Sequence, residues 1–170
     1  MTLSRKLRVG LLVVVLLCTV GCDQTSKHLA RTVLSQERSV ALPGRVVELQ
    51  LADNPGSFLS VGGWLPKPAR FAVFTVGVGI GLAALAAYLT GCARISIARF
   101  LGLALVLAGG TGNLLDRVFR DGFMTDFAII HIGPFHTGVF NIADVLIVIG
   151  VGAIVGTFRR AGRSDGVFHS

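Results

Sequence analysis

The chain has 170 residues, of which 52% are hydrophobic and only 15% are charged, and its mean hydropathy is +0.73. A water-soluble domain carries about 25% charged residues, so the composition excludes an ordinary soluble globular protein and indicates a membrane protein. The net charge of +7 does not indicate a nucleic-acid binder, because the basic residues cluster beside apolar segments. No linker, low-complexity run or internal repeat divides the sequence, which predicts a single domain over residues 1–170.

Four apolar stretches predict a mainly α-helical fold with four transmembrane helices, over about 9–30, 71–89, 98–116 and 138–158. Roughly 20 apolar residues are needed to cross the hydrocarbon core. The first span is marginal, because its apolar run Val9–Cys22 is short and continues only through the polar residues Asp23–Lys27.

The N-terminus also allows a second interpretation. Basic residues, an apolar run and the segment Cys18-Thr-Val-Gly-Cys22 resemble a lipoprotein signal peptide that would be cut before Cys22. Thr19 stands where a lipobox prefers a leucine-like residue, so a retained span is favoured. The three cysteines lie in or beside apolar segments, which predicts neither a disulfide framework nor a metal cluster.

The two longer polar segments, about 31–70 and 117–137, are predicted to lie on the periplasmic side. Residues 47–51 alternate between apolar and polar, as in a half-exposed strand, and Asn54-Pro-Gly56 is a turn signal. Phe123–His131 is again typical of a strand, and Gly133-Pro134 ends it. These segments predict a small extramembrane β-sheet on that side of the helices.

Basic residues mark the opposite side of the membrane. They precede the first span, lie between the second and third spans, and follow the fourth: Arg5, Lys6, Arg8, Arg94, Arg99, Arg159, Arg160 and Arg163. The positive-inside rule makes this side cytoplasmic. The charges therefore predict a multi-pass protein of the bacterial inner membrane with both termini in the cytoplasm.

Asp144 is an acidic residue inside an otherwise apolar span. It precedes Arg159 by 15 residues, which is about 22 Å of helix. Asp116 lies at a similar depth, about 25 Å of helix above Arg99. An ionisable side chain within a span costs at least a few kcal/mol and indicates a functional site that faces the helix bundle.

Several polar residues are predicted to converge at this depth. Spacings of three or four residues put Asn113 with Arg117 and Asn141 with Asp144 on common helix faces. Asp23 and Lys27 have the same spacing, and a helix-end ion pair is the favoured interpretation. The run Gly109–Gly112 lacks the Lys-Ser/Thr ending of a phosphate loop, so close helix packing is favoured. Asn54 could serve its own turn or the site.

Two buried carboxyl groups close together divide into an acid and a base, because both cannot ionise at once. Such a pair activates a water and polarises a scissile carbonyl. Asp126 and Asp144 are the predicted pair, with Asp116 as a salt-bridge partner of the adjacent Arg117. Two alternatives stay open: Asp144 as a structural partner of Arg117, and a proton- or ion-conducting protein with Asp116, Asp126 and Asp144 as a relay. The ion-conduction alternative requires a continuous row of polar side chains that reaches the cytoplasmic side of the membrane.

Five motifs in order resemble lipoprotein signal peptidase, the signal peptidase II family. They are Asp23-Gln-Thr-Ser-Lys27, Asn54-Pro-Gly56, Gly109-Gly-Thr-Gly-Asn113-Leu-Leu-Asp116-Arg117, Thr125-Asp126-Phe127 and Phe140-Asn141-Ile-Ala-Asp144. The third and fifth are long and specific, and the set spans nearly the whole chain. The family's fold, four transmembrane helices with an extramembrane β-cradle, is the one expected above.

The resemblance implies an aspartic endopeptidase with Asp126 and Asp144 as its catalytic dyad. It implies prelipoproteins carrying a diacylglyceryl cysteine as substrates, globomycin-type cyclic peptides as inhibitors, contact with membrane lipid, and neither a cofactor nor a metal. Residues that match the family's binding or site-supporting positions are Asp23, Lys27, Asn54, Gly56, Asn113, Asp116, Arg117 and Asn141. The sequence departs from the family after Gly56, where Ser57 is followed by the bulky Phe58.

Overall fold

The computed structural model describes the backbone of residues 4–56, 62–92 and 95–165, with side chains as far as residue 158. Its helices are α1 (Arg5–Val33), α2 (Lys67–Gly91), α3 (Ile97–Phe119) and α4 (Ile142–Asp165). A π-helical segment, Phe71–Gly77, lies within α2. By length and composition, α1, α2 and α3 could each cross a membrane, whereas the apolar part of α4, Ile142–Phe158, is shorter. Phe58, where the sequence departs from the family pattern, lies outside the described residues.

The first and fourth helices differ from the predicted spans at their ends. The first span, predicted to be marginal, is the longest helix at 29 residues and runs unbroken through Cys22, an exposed cysteine in its interior. Asp23 and Lys27 do not end it, because they pair with each other at 2.8 Å. The fourth helix begins four residues later than predicted, at Ile142, because Phe140 pairs with Ala128 in a β-bridge.

Glycines allow α3 and α4 to approach each other closely. A Cβ atom added to Gly109 would lie 2.5 Å from the carbonyl oxygen of Ala143, and one added to Gly150 would lie 2.5 Å from that of Gly102. Real Cβ atoms do not tolerate such contacts, so these positions depend on glycine. The predicted role of the Gly109–Gly112 run in helix packing is confirmed.

The sheet is antiparallel with strand order β1-β2-β3-β4, formed by Val40–Ala41, Val47–Asn54, Met124–Ile132 and Phe135–His136. Both predicted strands are confirmed, although β2 extends further than expected, to Asn54. A bulge interrupts the pairing of β2 with β3 between Leu49 and Ala52. Beyond the bulge Asn54 pairs with Met124, which puts its side chain on the same face of the sheet as Asp126.

Candidate active site

Asp126 and Asp144 come together from different kinds of element. Asp126 is the third residue of β3, and Asp144 lies in the first turn of α4. Their exposed fractions are only 1% and 4%. A buried carboxyl group needs hydrogen-bond donors, and the structure supplies one to each of the four carboxyl oxygens.

Three asparagines provide the side-chain donors. Asn54 Nδ2 lies 2.8 Å from Asp126 Oδ2, and Asn141 Nδ2 lies 2.7 Å from Asp126 Oδ1. Asn113 Nδ2 lies 2.9 Å from Asp144 Oδ1. The remaining oxygen, Asp144 Oδ2, accepts from the backbone N–H of Asn141 at 3.2 Å.

Each asparagine amide is held in this orientation by a group that can only donate. The ammonium of Lys27 donates to Asn113 Oδ1 at 2.9 Å, and the backbone N–H of Gly56 donates to Asn54 Oδ1 at 2.9 Å. The N–H of Asp144 donates to Asn141 Oδ1 at 3.0 Å. Because a donor faces each amide oxygen, each amide NH2 must face the carboxyl groups. The orientation of the donors is therefore fixed before any substrate arrives.

Asn141 and Asp144 also form the N-terminal cap of α4. The side chain of Asn141 accepts from the N–H of Asp144, and the side chain of Asp144 accepts from the N–H of Asn141. This is the reciprocal geometry of a capping box. The cap fixes the rotamer of Asp144, so the same hydrogen bonds start the helix and aim the carboxyl group.

A second cluster, formed by Asp23, Lys27 and Asp116 and called here the lysine cluster, lies beside the dyad. Lys27 Nζ is 2.8 Å from Asp23 Oδ2 and 3.2 Å from Asp116 Oδ2, and all three side chains are buried. Asp23 Oδ1 accepts from the N–H of Ala143 at 2.9 Å, and Asp116 Oδ2 accepts from the N–H of Thr125 at 2.9 Å. The lysine cluster thus holds the residue before each member of the dyad.

The expected pairing of Asp116 with Arg117 is wrong. Adjacent residues on a helix point in different directions, and Asp116 turns toward Lys27. The Arg117 guanidinium instead donates to the carbonyl oxygen of Gly56 at 3.0 Å and lies over the Phe74 ring. Among the described residues, no ion pair within 4.0 Å joins Arg117 to Asp116 or Asp144. Asp144 is therefore not a direct ion-pair partner of Arg117, although the two charges interact electrostatically at longer range.

The structure brings the other predicted residues into one site and adds two. Asn54 serves both its turn and Asp126, so the two interpretations of it are compatible. Thr125 was not singled out, yet it is fully buried and accepts from Arg31 Nη1 at 2.7 Å and from Arg120. Gln24 donates to Asp23, to Asp116 and to the Gly112 carbonyl. Thr125 and Gln24 each lie inside one of the five family motifs, which is the sequence signal that could have identified them.

The pKa of Asp126 is raised to about 6, mainly by burial and also by the Asp144 carboxylate, while the amides of Asn54 and Asn141 oppose the shift. A carboxyl group with this pKa exchanges a proton near neutral pH. This is the range in which a general acid or base is most effective.

A cavity of about 420 Å³ opens beside the dyad, between α2, α3 and α4. Asn113, Arg117 and Asp144 form its polar end. The rest of its wall is apolar and includes Val148 and Val151, which are exposed on the flank of the bundle. The cavity therefore leads from an outward-facing apolar surface to Asp144.

The ion-conduction alternative requires polar residues beyond the site. On α3, the buried residues on the other side of Asn113 from Asp116 include Leu107, Ala104 and Phe100, all of them apolar. These pack with Leu12 and Leu89 into one buried cluster. Over the part of the chain that the structure describes, the buried polar side chains outside the site region are Arg8 and Thr75, which do not form a continuous file.

Comparison with known proteins identifies the family. A family model described as signal peptidase (SPase) II matches residues 15–159. A protein of Leifsonia xyli named lipoprotein signal peptidase is 36% identical over 148 residues, which are 84% of this chain and 63% of that protein. A protein of the same name from Desulforapulum autotrophicum is 33% identical over 133 residues, covering 78% of this chain and 81% of that protein.

Solved structures show the same fold. A bacterial membrane enzyme determined by the in meso method at 2.3 Å resolution superposes with a TM-score of 0.78 at 24% identity, covering 89% of each chain. Another, at 1.9 Å resolution, gives 0.77 at 25% identity and covers 88% of this chain and 93% of that one. With several helices long and apolar enough to span a bilayer, the protein is a multi-pass membrane protein, and it belongs to the signal peptidase II family.

Proposed function

We propose that this protein is an aspartic endopeptidase of the bacterial inner membrane that removes signal peptides from prelipoproteins. The substrate is a prelipoprotein whose cysteine carries diacylglycerol, cut on the N-terminal side of that cysteine. The observation that carries the proposal is the arrangement around Asp126 and Asp144. Two buried carboxyl groups face three amides whose orientations are fixed by other donors.

The chemistry divides the two carboxyl groups between base and acid. The ionised carboxylate removes a proton from a water, whose oxygen attacks the scissile carbonyl carbon. The protonated carboxyl gives its proton to the carbonyl oxygen, and a tetrahedral diol forms. The diol then collapses as the peptide C–N bond breaks, and the amine leaves with a proton from the dyad. The fixed amides need no reorientation during these steps, which is the advantage of a preorganised polar site.

The cavity beside Asp144 supports a substrate that arrives from the membrane. Its apolar wall, with Val148 and Val151 exposed on the flank of the bundle, suits a signal-peptide helix or an acyl chain. Its polar end includes Asp144 of the dyad. A substrate held in the bilayer is already concentrated and oriented for this entrance, which removes much of the entropic cost of the encounter.

The proposed topology has four spans in a single membrane domain over residues 1–170, with both termini cytoplasmic and segments 31–70 and 117–137 periplasmic. The basic residues at the ends of the helices support this orientation. Asp144, in the first turn of α4, would then lie near the periplasmic boundary. The cut is therefore expected close to the outer surface of the membrane.

The decisive experiment is cleavage of a diacylglyceryl-modified prelipoprotein by the purified protein in detergent micelles. We expect cleavage before the lipidated cysteine, sensitivity to globomycin, and loss of activity in Asp126→Asn and Asp144→Asn tested separately. The matched control is Glu37→Gln, which removes an exposed carboxyl group between α1 and β1 and should keep full activity. Full activity in both dyad variants would refute the assignment.

The alternative of processing at Cys22 is tested in the same preparation. A retained first span predicts an intact mass that includes the residues before Cys22. A mature protein that begins at Cys22 would support the interpretation as a lipoprotein.

A further inference from the structure

A second cavity, called here the basic cavity, lies where α2 begins and α3 ends. Its volume is about 380 Å³, and Lys67, Arg70, Arg117 and Asp121 contribute its charged lining. Among the residues that the structure describes, three cationic side chains and one carboxylate thus line this cavity. Such an excess of positive charge around a concave site favours an anionic ligand.

The arginines of the basic cavity are held by other parts of the protein and not by carboxylates. Arg70 Nη1 lies 3.4 Å from the carbonyl oxygen of Gly63, and its guanidinium is 5.7 Å from the centre of the Phe123 ring. Arg117 is only 5% exposed, and its Nε has no hydrogen-bond partner. Within the described residues, no carboxylate forms a direct ion pair with either arginine. The carboxylates of Asp144, Asp126 and Asp116 nevertheless offset the charge of Arg117 electrostatically. The positive charge left for a ligand is therefore mainly that of Lys67 and Arg70.

The apolar part of the lining indicates where the anion comes from. Phe71 and Val118 line the basic cavity and are exposed on the outside of the helices. Trp64, 84% exposed, lies in the turn before α2, and the exposed Phe119 lies at the end of α3. Exposed aromatic side chains at helix ends are typical of the membrane–water interface. A cavity that is basic at its centre and apolar toward lipid fits a phosphate group that carries acyl chains.

We propose that the basic cavity binds the phosphate headgroup of an anionic phospholipid from the outer leaflet. Lys67 and Arg70 contact the phosphate, and the acyl chains leave over Phe71 and Val118. This inference rests on the membrane orientation given above, but it does not depend on peptidase activity. Arg117 lines both the basic cavity and the cavity beside Asp144, so the bound lipid would adjoin the active site.

The single tryptophan of the chain, Trp64, provides a reporter for the test. The full-length protein is reconstituted in vesicles that contain either phosphatidylglycerol or phosphatidylcholine with brominated acyl chains, and quenching of Trp64 fluorescence gives the relative affinity. We expect preferential quenching by phosphatidylglycerol. Each cation near a membrane surface contributes about a fivefold preference, so Lys67→Gln with Arg70→Gln should reduce the preference by about 25-fold.

Two matched variants separate this site from general charge effects. Arg38→Gln with Arg45→Gln removes the same charge from exposed positions outside the basic cavity and should keep the preference. Asp121→Asn removes the one carboxylate that lines the basic cavity among the described residues. It should strengthen the preference about fivefold, which misfolding could not imitate. Asn is also suited to the positive φ of 53° at this position. If the double variant Lys67→Gln with Arg70→Gln disturbs folding, Lys67→Gln alone should still weaken the preference about fivefold.

Equal quenching by the two lipids would overturn the proposal, and so would an unchanged preference in both Lys67→Gln and Asp121→Asn. Inorganic phosphate distinguishes the source of the anion. Displacement of phosphatidylglycerol by millimolar phosphate would show a site for a soluble anion and overturn the lipid assignment. Failure of phosphate to compete supports it.

Discussion

The four buried carboxyl groups of the site form two pairs that differ in the groups that donate to them. Asp126 and Asp144 accept from amide and backbone N–H groups, all of them neutral. Asp23 and Asp116 share the ammonium of Lys27. A carboxyl group that faces neutral donors can gain or lose a proton without breaking an ion pair. One that is paired with a buried lysine cannot, because the lysine would lose a partner.

The comparison shows how one residue type serves two functions within a single cluster. The lysine cluster holds Ala143 and Thr125 by their backbone N–H groups, so it positions the segments that carry the dyad. The dyad is left free to titrate. We therefore expect substitutions in the first pair to affect catalysis and substitutions in the second to affect stability.

The largest expected effect is on catalysis in the dyad variants. Asp126→Asn and Asp144→Asn should each lower kcat by about 10³-fold or more, because each removes an acid or base. Their unfolding free energy should change by no more than about 1 kcal/mol, because two effects oppose each other. Removing a buried charge is favourable, whereas the new amide group places one hydrogen-bond donor against another. Cleavage kinetics and thermal unfolding of the same preparations measure both. A large loss of stability in these variants would contradict the division between the pairs.

The next effect is on stability, in Lys27→Met. This substitution leaves two buried carboxylates without their ammonium and should cost about 3–5 kcal/mol of unfolding free energy. Denaturation in mixed micelles measures it. The double variant Lys27→Met with Asp116→Asn should recover part of the loss, because it removes one of the uncompensated charges. An unchanged midpoint in Lys27→Met would show that the lysine cluster does not stabilise the fold.

A smaller effect is expected from Asn54→Ala, and it has a pH signature. The amide of Asn54 lowers the pKa of Asp126, which burial raises to about 6. Without this amide the pKa rises further, so a higher pH is needed to ionise the group. The acid limb of kcat/KM against pH should therefore move upward, with a loss of about tenfold or more near pH 6. Gln36→Ala removes an exposed amide that donates to Asp53 and not to either carboxyl group of the dyad, so it is the control and should leave the profile unchanged.

A variant that keeps the turn separates the two roles of Asn54. Asn54→Asp retains an acceptor for the N–H of Gly56 but replaces the donor to Asp126 with a carboxylate. The acid limb should move upward at least as far as in Asn54→Ala. A profile that moves in Asn54→Ala but not in Asn54→Asp would assign the effect to the turn.

Local sequence patterns predicted the helices, both long strands and the residues of the site. The hydropathy of α2 and α3 and the alternation in β2 are local properties, and they suffice for those elements. The start of α4 was predicted too early, because the β-bridge of Phe140 to Ala128 is a tertiary contact that hydropathy does not record. The first span, predicted over about 9–30, lies within α1 (Arg5–Val33), and the helix continues through Asp23–Lys27 as predicted.

The pairing of the charges was the least predictable part. Arg117 is next to Asp116 in sequence, but the partner of Asp116 is Lys27 on another helix. The register that puts Asn54 beside Asp126 depends on the bulge in β2, which the sequence does not mark. The choice of Asp126 over Asp116 as the partner of Asp144 was the prediction that the family resemblance sharpened most.

The smallest expected effect is at Asp53, an acidic residue of β2 outside both pairs. Its carboxylate lies 2.9 Å from Arg120 Nη2 and is 36% exposed. Exposed ion pairs contribute little, because water and salt screen them. Asp53→Asn should change the unfolding free energy by less than about 0.5 kcal/mol and activity by less than about twofold, and the difference should vanish at high salt.

Arg120→Gln should cost more, because Arg120 also donates to the buried hydroxyl of Thr125, beside Asp126. Equal effects of the two substitutions would show that the contact with Thr125 does not help to position β3, which would leave the lysine cluster as the main support of the dyad.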